Sequence, residues 1–180
     1  MNALKISISV LWILFWIYWL VSAANAKQGS RTRRTRPPGL LIVVLVLVLL
    51  RVFRAGSLDV DDSILEAVGA VLFVAGLGLA VWARIYLGGN WGMPMTQKDE
   101  PELVTSGPYR FVRHPIYSGI LLGILGTSLA TDLYLVIALI VIGVYFIHSA
   151  RVEERLMSSS FPAAYPSYRA KTKMLIPFVL

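Results

Sequence analysis

The sequence predicts an all-α, polytopic membrane helix bundle with about five transmembrane helices. Three observations carry that prediction. The 180 residues are 57% hydrophobic and only 15% charged, well above the ~45–50% apolar content of a soluble domain. The mean hydropathy is +0.69, and the apolar residues gather in long runs rather than alternating faces. The surplus of basic residues, a net charge of +7, collects in alternate connecting segments, as it does in membrane proteins. No polar stretch is long enough to build a core of its own, so residues 1–180 read as one membrane domain. Within it, 1–92 holds three spans and 93–180 holds the chemistry.

The first run, Leu4 to Ala24, is long enough for a bilayer at ~1.5 Å per residue. A cleaved signal peptide would have an apolar region of only ~7–15 residues. This run is longer and carries Trp12, Trp16 and Trp19, so a retained helix is expected. Lys27 to Arg36 follows, with Arg31, Arg33, Arg34 and Arg36 close together. It reads as an anchor at anionic headgroups rather than as a nucleic-acid site. Pro37-Pro38-Gly39 breaks the chain.

A second run covers Gly39 to Phe53, short for a span, with Arg51 and Arg54 positioned to snorkel. Asp59, Asp61 and Asp62 form an acidic loop. Ser63, with Glu66 three residues later, has the pattern of a capped helix start. The third run is Ile64 to Leu87. Gly69, Gly76 and Gly78 inside it suggest close helix contact. Gly76-Leu77-Gly78 is not a dinucleotide fingerprint, because no strand precedes it. The fourth run is His114 to about Ala130, with Pro115 in the first turn and Gly119 and Gly123 spaced for helix approach. The fifth is Leu133 to about His148, continued by a polar helical extension.

With five spans, the basic clusters at 27–36, 84–113 and 151–173 fall on one side. Lys5, Arg51, Arg54 and most loop acids fall on the other. The positive-inside rule then puts the N-terminus outside and the C-terminus in the cytoplasm.

The stretch Leu103-Val104-Thr105-Ser106-Gly107-Pro108-Tyr109-Arg110-Phe111-Val112-Arg113-His114-Pro115-Ile116-Tyr117-Ser118-Gly119 is not needed for spanning. Polar groups at the mouth of an apolar helix cost free energy unless paired or bound to something. His114, Tyr117 and Leu121 share one helical face. Antiparallel helices joined by a short turn bring Glu153 and Glu154 to the level of Arg113 and His114. A cationic, aromatic wall then faces a carboxylate pair. Interface anchoring accounts for the same residue types, and Glu153 or Glu154 pairing with Arg110 or Arg113 is the plain alternative. Spacing alone leaves both open. His148, in the fifth span, is expected to hydrogen-bond a neighbouring helix. Two histidines and no cysteine make a metal site improbable and exclude disulfides and a cysteine nucleophile.

The R-H-P-x-Y core at Arg113–Tyr117, Glu153-Glu154, Phe161, Tyr165, Tyr168 and Ile176-Pro177-Phe178 together resemble the isoprenylcysteine carboxyl methyltransferase family. The resemblance covers Gln97 to Phe178. It implies a membrane-embedded methyltransferase using S-adenosylmethionine, with a cytoplasmic cofactor pocket built from the C-terminal half. The implied donor-binding residues are Pro101, Glu102, Leu103, Val104, Tyr109, His114, Pro115, Ile116, Tyr117 and Glu153, with Gln97 near a family glutamine. Arg113, Arg151 and Glu154 are the candidates for handling the reacting groups. Arg113 and helix-start N–H groups suit the donor carboxylate.

Family members from eukaryotes have an arginine four residues before the donor-binding glutamate; here that position is Ser149. Eukaryotic members also have more spans, so the chain looks like a shorter, prokaryote-like relative in an inner membrane. Its expected acceptor is lipophilic, a small molecule or prenylated substrate arriving through the membrane lipids, with the carboxylate of an isoprenylcysteine-like compound foremost. The amine of a phospholipid headgroup is the alternative. An NADPH-dependent membrane reductase would need more cations for a 2′-phosphate, and a transporter subunit leaves the motif unexplained.

Overall fold

The computed structural model describes residues 3–23, 29–30, 46, 58–91, 97–98 and 102–177. Its main helices are α1 (Ala3–Ala23), α2 (Ser63–Leu87), α3 (Pro115–Thr131), α4 (Val136–Ser160) and the short α5 (Tyr165–Lys171). Ala3–Ser22, Ser63–Asn90 and Leu133–Ser160 are each long and apolar enough to cross a membrane, and Pro115–Thr131 is a shorter apolar helix. The predicted second span lies outside the described residues except for Val46. The all-α membrane class holds. Extended pairing among the described residues is confined to two isolated bridges and one two-residue ladder, β1 (Gly29–Ser30) against β2 (Gln97–Lys98). Large apolar side chains such as Ile13, Leu20, Ile64 and Val71 are more than half exposed. In a helix this length that exposure suits lipid, not water.

The contacts group into two compact units. The first takes in the described residues of 3–21, 58–78 and 119–144. Its core sets Ile8, Phe73 and Ala130 together, with Leu4, Trp12 and Leu77 against them. Trp12 Nε1 donates to Thr127 Oγ1 at 3.0 Å, so the one polar tip in that core is satisfied. Glycine sets how closely α2 and α3 pack. A Cβ on Gly76 would stand 2.4 Å from the Gly123 nitrogen, and one on Gly126 would stand 2.3 Å from the Phe73 nitrogen. No side chain fits there, and the backbones touch as small-residue packing requires. Gly78, expected to join this contact, instead faces open space; two residues on from Gly76, it points away from the seam.

The start of α2 also differs from expectation. The cap is Asp62, not Ser63: Asp62 Oδ1 accepts the N–H groups of Ile64 at 2.8 Å and Leu65 at 3.0 Å. A carboxylate beats a hydroxyl at the positive end of a helix. Nearby, Asp59 bridges Asp132 and forms an ion pair with Lys5.

The second unit takes in the described residues of 22–37, 79–118 and 145–177. The last turn of α2 carries Arg84, only 4% exposed. It donates to the carbonyls of Gly88 at 2.7 Å and Ser22 at 2.6 Å and lies 4.9 Å from the Trp91 ring centre. A cation there satisfies carbonyls that helix ends leave without partners. This unit also holds the chemistry-bearing stretch.

Candidate functional site

The stretch before α3 is built around Tyr109. It sits in a single 3-10 turn, Gly107–Arg110, with Pro108 and Tyr109 buried. Gly107 has φ +58°, and a Cβ there would meet the Tyr86 ring at 2.5 Å. Both backbone and space require glycine at that point. The chain then runs beside the C-terminal segment, with Val112 and Lys173 forming a parallel bridge. The Arg113 and His114 N–H groups donate to the carbonyls of Lys173 (2.8 Å) and Met174 (3.1 Å). Pro115 opens α3, where a missing N–H costs nothing, and His114 is left at the helix mouth.

Five predicted residues meet here. Arg113 Nε donates to Glu154 Oε1 at 2.6 Å, with side chains 8% and 6% exposed. His114 stands between two carboxylates: Nδ1 lies 3.4 Å from Glu153 Oε2, and Nε2 lies 3.6 Å from Glu154 Oε1. The second distance is ion-pair range but too long for a hydrogen bond, and Nε2 has no hydrogen-bond partner among the described residues. The Tyr117 hydroxyl donates to Glu153 Oε1 at 2.6 Å. The Tyr117 ring stacks between His114 (5.5 Å, 5°) and Phe146 (4.3 Å, 12°). The antiparallel meeting of Arg113-His114 with Glu153-Glu154 is therefore real. Of the plain pairings, Arg113 with Glu154 forms, while Arg110 lies 4.5 Å from the Phe111 ring centre.

Burial opposes charge on His114, but Glu153 and Glu154 together prevail and hold its pKa above the ordinary imidazole value. Burial pushes the Tyr109 and Tyr165 phenols well up, and Tyr168 up to about 12. All three remain neutral hydrogen-bond donors near neutral pH. Tyr168 uses its hydroxyl to donate to the Tyr109 carbonyl at 2.7 Å.

The other predicted residues are placed differently. Pro101 lies outside the described residues, and Gln97 is described only as backbone paired with Ser30. Glu102 is exposed and accepts a hydrogen bond from Asn90 Nδ2 at 2.7 Å; Leu103 and Val104 are half-buried. Ile116 is buried in the first turn of α3. Arg151 is exposed, and no ion pair of it occurs among the described residues. Its position in α4, two residues before Glu153, turns it off the face that carries Glu153. His148 is exposed as well, and the hydrogen bond expected of it to a neighbouring helix does not form among the described residues. Ser149 is fully buried, and its Oγ has no hydrogen-bond partner among the described residues. It precedes Glu153 by one helical turn, on the same face of α4.

Sequence reasoning missed Phe146, whose ring completes the stack, and the carbonyls of Arg169 and Thr172–Leu175. An aromatic residue one turn before Ser149 on the Glu153 face was a usable signal for the first. Backbone acceptors leave no signal in a sequence.

Comparison with known proteins gives the chain its family. The family model described as phospholipid methyltransferase matches residues 64–164, a span that takes in Arg113–Tyr117 and Glu153-Glu154. The chain is 30% identical over 142 residues to the nickel-cobalt-cadmium resistance protein NccN of Alcaligenes xylosoxydans xylosoxydans, covering 74% of this chain and 62% of that protein. It is 30% identical over 140 residues to the cobalt-zinc-cadmium resistance protein CzcN of Cupriavidus metallidurans, covering 74% and 61%. It is also 30% identical over 127 residues to the protein-S-isoprenylcysteine O-methyltransferase of Saccharomyces cerevisiae, covering 68% and 53%. The chain thus spans between half and two thirds of the length of these relatives. The family model covers more than half of the chain, and the chain belongs to the phospholipid methyltransferase family as an integral membrane protein.

Proposed function

We propose that this protein is a membrane methyltransferase that takes a methyl group from S-adenosylmethionine and passes it to a lipophilic acceptor. The foremost acceptor is the carboxylate of an isoprenylcysteine-like compound. The observation that carries the reading is the closed cluster of His114, Tyr117, Glu153 and Glu154 within residues 64–164, the stretch that the phospholipid methyltransferase family model matches.

The residues fit the donor. When bound, S-adenosylmethionine supplies an electrophilic methyl group on a positively charged sulfur. Glu153, with its side chain 24% exposed, is accessible enough to hold an amine or a ribose hydroxyl. His114 Nε2 and Ser149 Oγ, both buried without a hydrogen-bond partner among the described residues, are groups that a ligand would satisfy. Pro101, Glu102, Leu103, Val104, Tyr109, Pro115 and Ile116 complete the proposed donor face. Arg113 is committed to Glu154 through Nε and to backbone carbonyls through Nη1, so its role is with the protein rather than with a donor carboxylate.

A carboxylate acceptor is already ionised and needs no general base. The chain's contribution is then alignment and exclusion of water. The clustered basic residues at 27–36, 110–113 and 151–173 support a topology with the site in the cytoplasm of a prokaryotic inner membrane. The acceptor then enters from the lipid.

Ser149 favours keeping the amine of a phospholipid headgroup as a second reading, because a neutral hydroxyl stands where an arginine would face a carboxylate. One assay separates them. Purified protein is given methyl-labelled donor with either prenylcysteine analogues or phospholipids. A base-labile labelled ester supports the carboxylate; base-stable label on nitrogen supports the amine. Calorimetric binding of NADPH with no response to S-adenosylmethionine or its demethylated product overturns both.

A further inference from the structure

The short helix α5 ends at Lys171, and its last carbonyls have no partners within the helix. Arg113 supplies them. Its Nη1 donates to the carbonyls of Arg169, at 3.3 Å, and Thr172, while Nε holds Glu154. A cation at that end is also favoured by the helix dipole. The segment that follows is fixed to the same place. Lys173 and Met174 accept from the backbone of Arg113 and His114, and the Ser118 hydroxyl donates to the Leu175 carbonyl at 2.6 Å. Tyr165, Thr172 and Leu175 are at most 6% exposed, which an unattached tail would not achieve. On its other side Glu154 faces His114 Nε2 at 3.6 Å.

We infer that Arg113 is a positioning residue: acting through Glu154, it locks the segment 165–175 onto His114 and makes that segment a working wall of the donor site. The inference rests on the reading of His114 and Glu153 as donor-binding. A guanidinium suits the task because its planar fork reaches a carboxylate and two carbonyls at once, whereas an ammonium is a single point of charge. The groups around the Glu154–His114 contact are Arg113 from the loop, Tyr117 from α3, Glu153 from α4, and from α5 Arg169, 3.7 Å from Glu154, with the phenols of Tyr165 and Tyr168.

The test uses the full chain in detergent micelles with two readouts. One is calorimetric binding of S-adenosylhomocysteine. The other is the NMR titration of labelled histidine, assigned through His148→Gln because the chain has two histidines. In Arg113→Gln, affinity is expected to fall about 10-fold or more, as it does when a supporting partner of a ligand-holding group is lost. The His114 midpoint should also move to higher pH, because Glu154, released from the guanidinium, is left to the imidazolium. Arg113→Lys should restore little. Tyr168→Phe, which keeps the ring and removes only the hydroxyl, should weaken binding about five-fold through the lost tether to Tyr109. Arg155→Gln, an exposed change on α4, should match wild type. Wild-type affinity in Arg113→Gln, Arg113→Lys and Tyr168→Phe with an unmoved His114 midpoint overturns the inference. Wild-type protein that binds no sulfur ligand overturns the proposed function instead, and the histidine titration still decides whether Arg113 acts on His114.

Discussion

Arg113 and Glu154 form a buried ion pair at 2.6 Å that joins the loop before α3 to the polar end of α4. Removing Glu154 alone leaves the Arg113 charge buried with only backbone carbonyls as partners. Glu154→Ala is therefore expected to destabilise the protein by about 3–5 kcal/mol, read as a drop in the thermal unfolding midpoint in detergent. Glu154→Gln should cost less, since an amide oxygen still accepts from Nε. A melt of Glu154→Ala equal to wild type would show that the pair contributes nothing.

The pH dependence follows from His114. Its pKa in the folded chain is raised above the ordinary 6.5 because two carboxylates outweigh its burial. Folding then favours the protonated imidazole. The stabilisation is fully present below 6.5 and fades as pH rises through the raised folded value. Unfolding midpoints measured from pH 5 upward should decline over that window in the wild type. His114→Gln should flatten the decline, and an unchanged slope in that variant would refute the assignment.

Most of the fold was legible in the sequence because each span is a continuous apolar run, a signal that survives without knowledge of tertiary contacts. The ends of the helices were less so. Ser63 and Asp62 are both good caps, and only the geometry of the turn chooses between them. The site was half legible. Arg113, His114, Tyr117, Glu153 and Glu154 are chemically conspicuous and their helices are antiparallel, so their meeting follows from topology. What Arg113 does with its other donors was hidden, because its acceptors are main-chain carbonyls of α5 and every residue has one. His148 misled for a related reason: a polar residue in an apolar run suggests a partner, but its face of α4 is the exposed one.

The glycine seam gives a contrast between neighbours. Gly76→Ala puts a methyl group 2.4 Å from the Gly123 nitrogen, and Gly126→Ala puts one 2.3 Å from that of Phe73. Both backbones must separate, and both variants should lower the melting midpoint and the yield of monodisperse protein. Gly78→Ala meets nothing within 4 Å and removes a flexible residue from a helix interior, so it should be neutral or stabilising by up to about 1 kcal/mol. Equal behaviour of the three variants would refute this packing.

Glu153 and Tyr117 separate holding the protein together from holding the donor. Tyr117→Phe removes only the hydroxyl that donates to Glu153 at 2.6 Å and keeps the ring stacked on Phe146 at 4.3 Å. Losing one hydrogen bond to a charged group costs about 1.5–3 kcal/mol at most, and the stack should keep the variant folded. Glu153→Gln preserves shape and an acceptor oxygen but removes the charge. If Glu153 binds the cationic end of S-adenosylmethionine, Glu153→Gln should lose at least about 10-fold in affinity, a difference of about 1.4 kcal/mol, together with a lower melting midpoint where His114 is protonated, because one of its two carboxylates loses its charge. Tyr117→Phe should lose less affinity, because the carboxylate remains and only its orientation is freed. Calorimetry on the two variants decides the order. Tighter binding to Glu153→Gln than to Tyr117→Phe would remove Glu153 from the donor site.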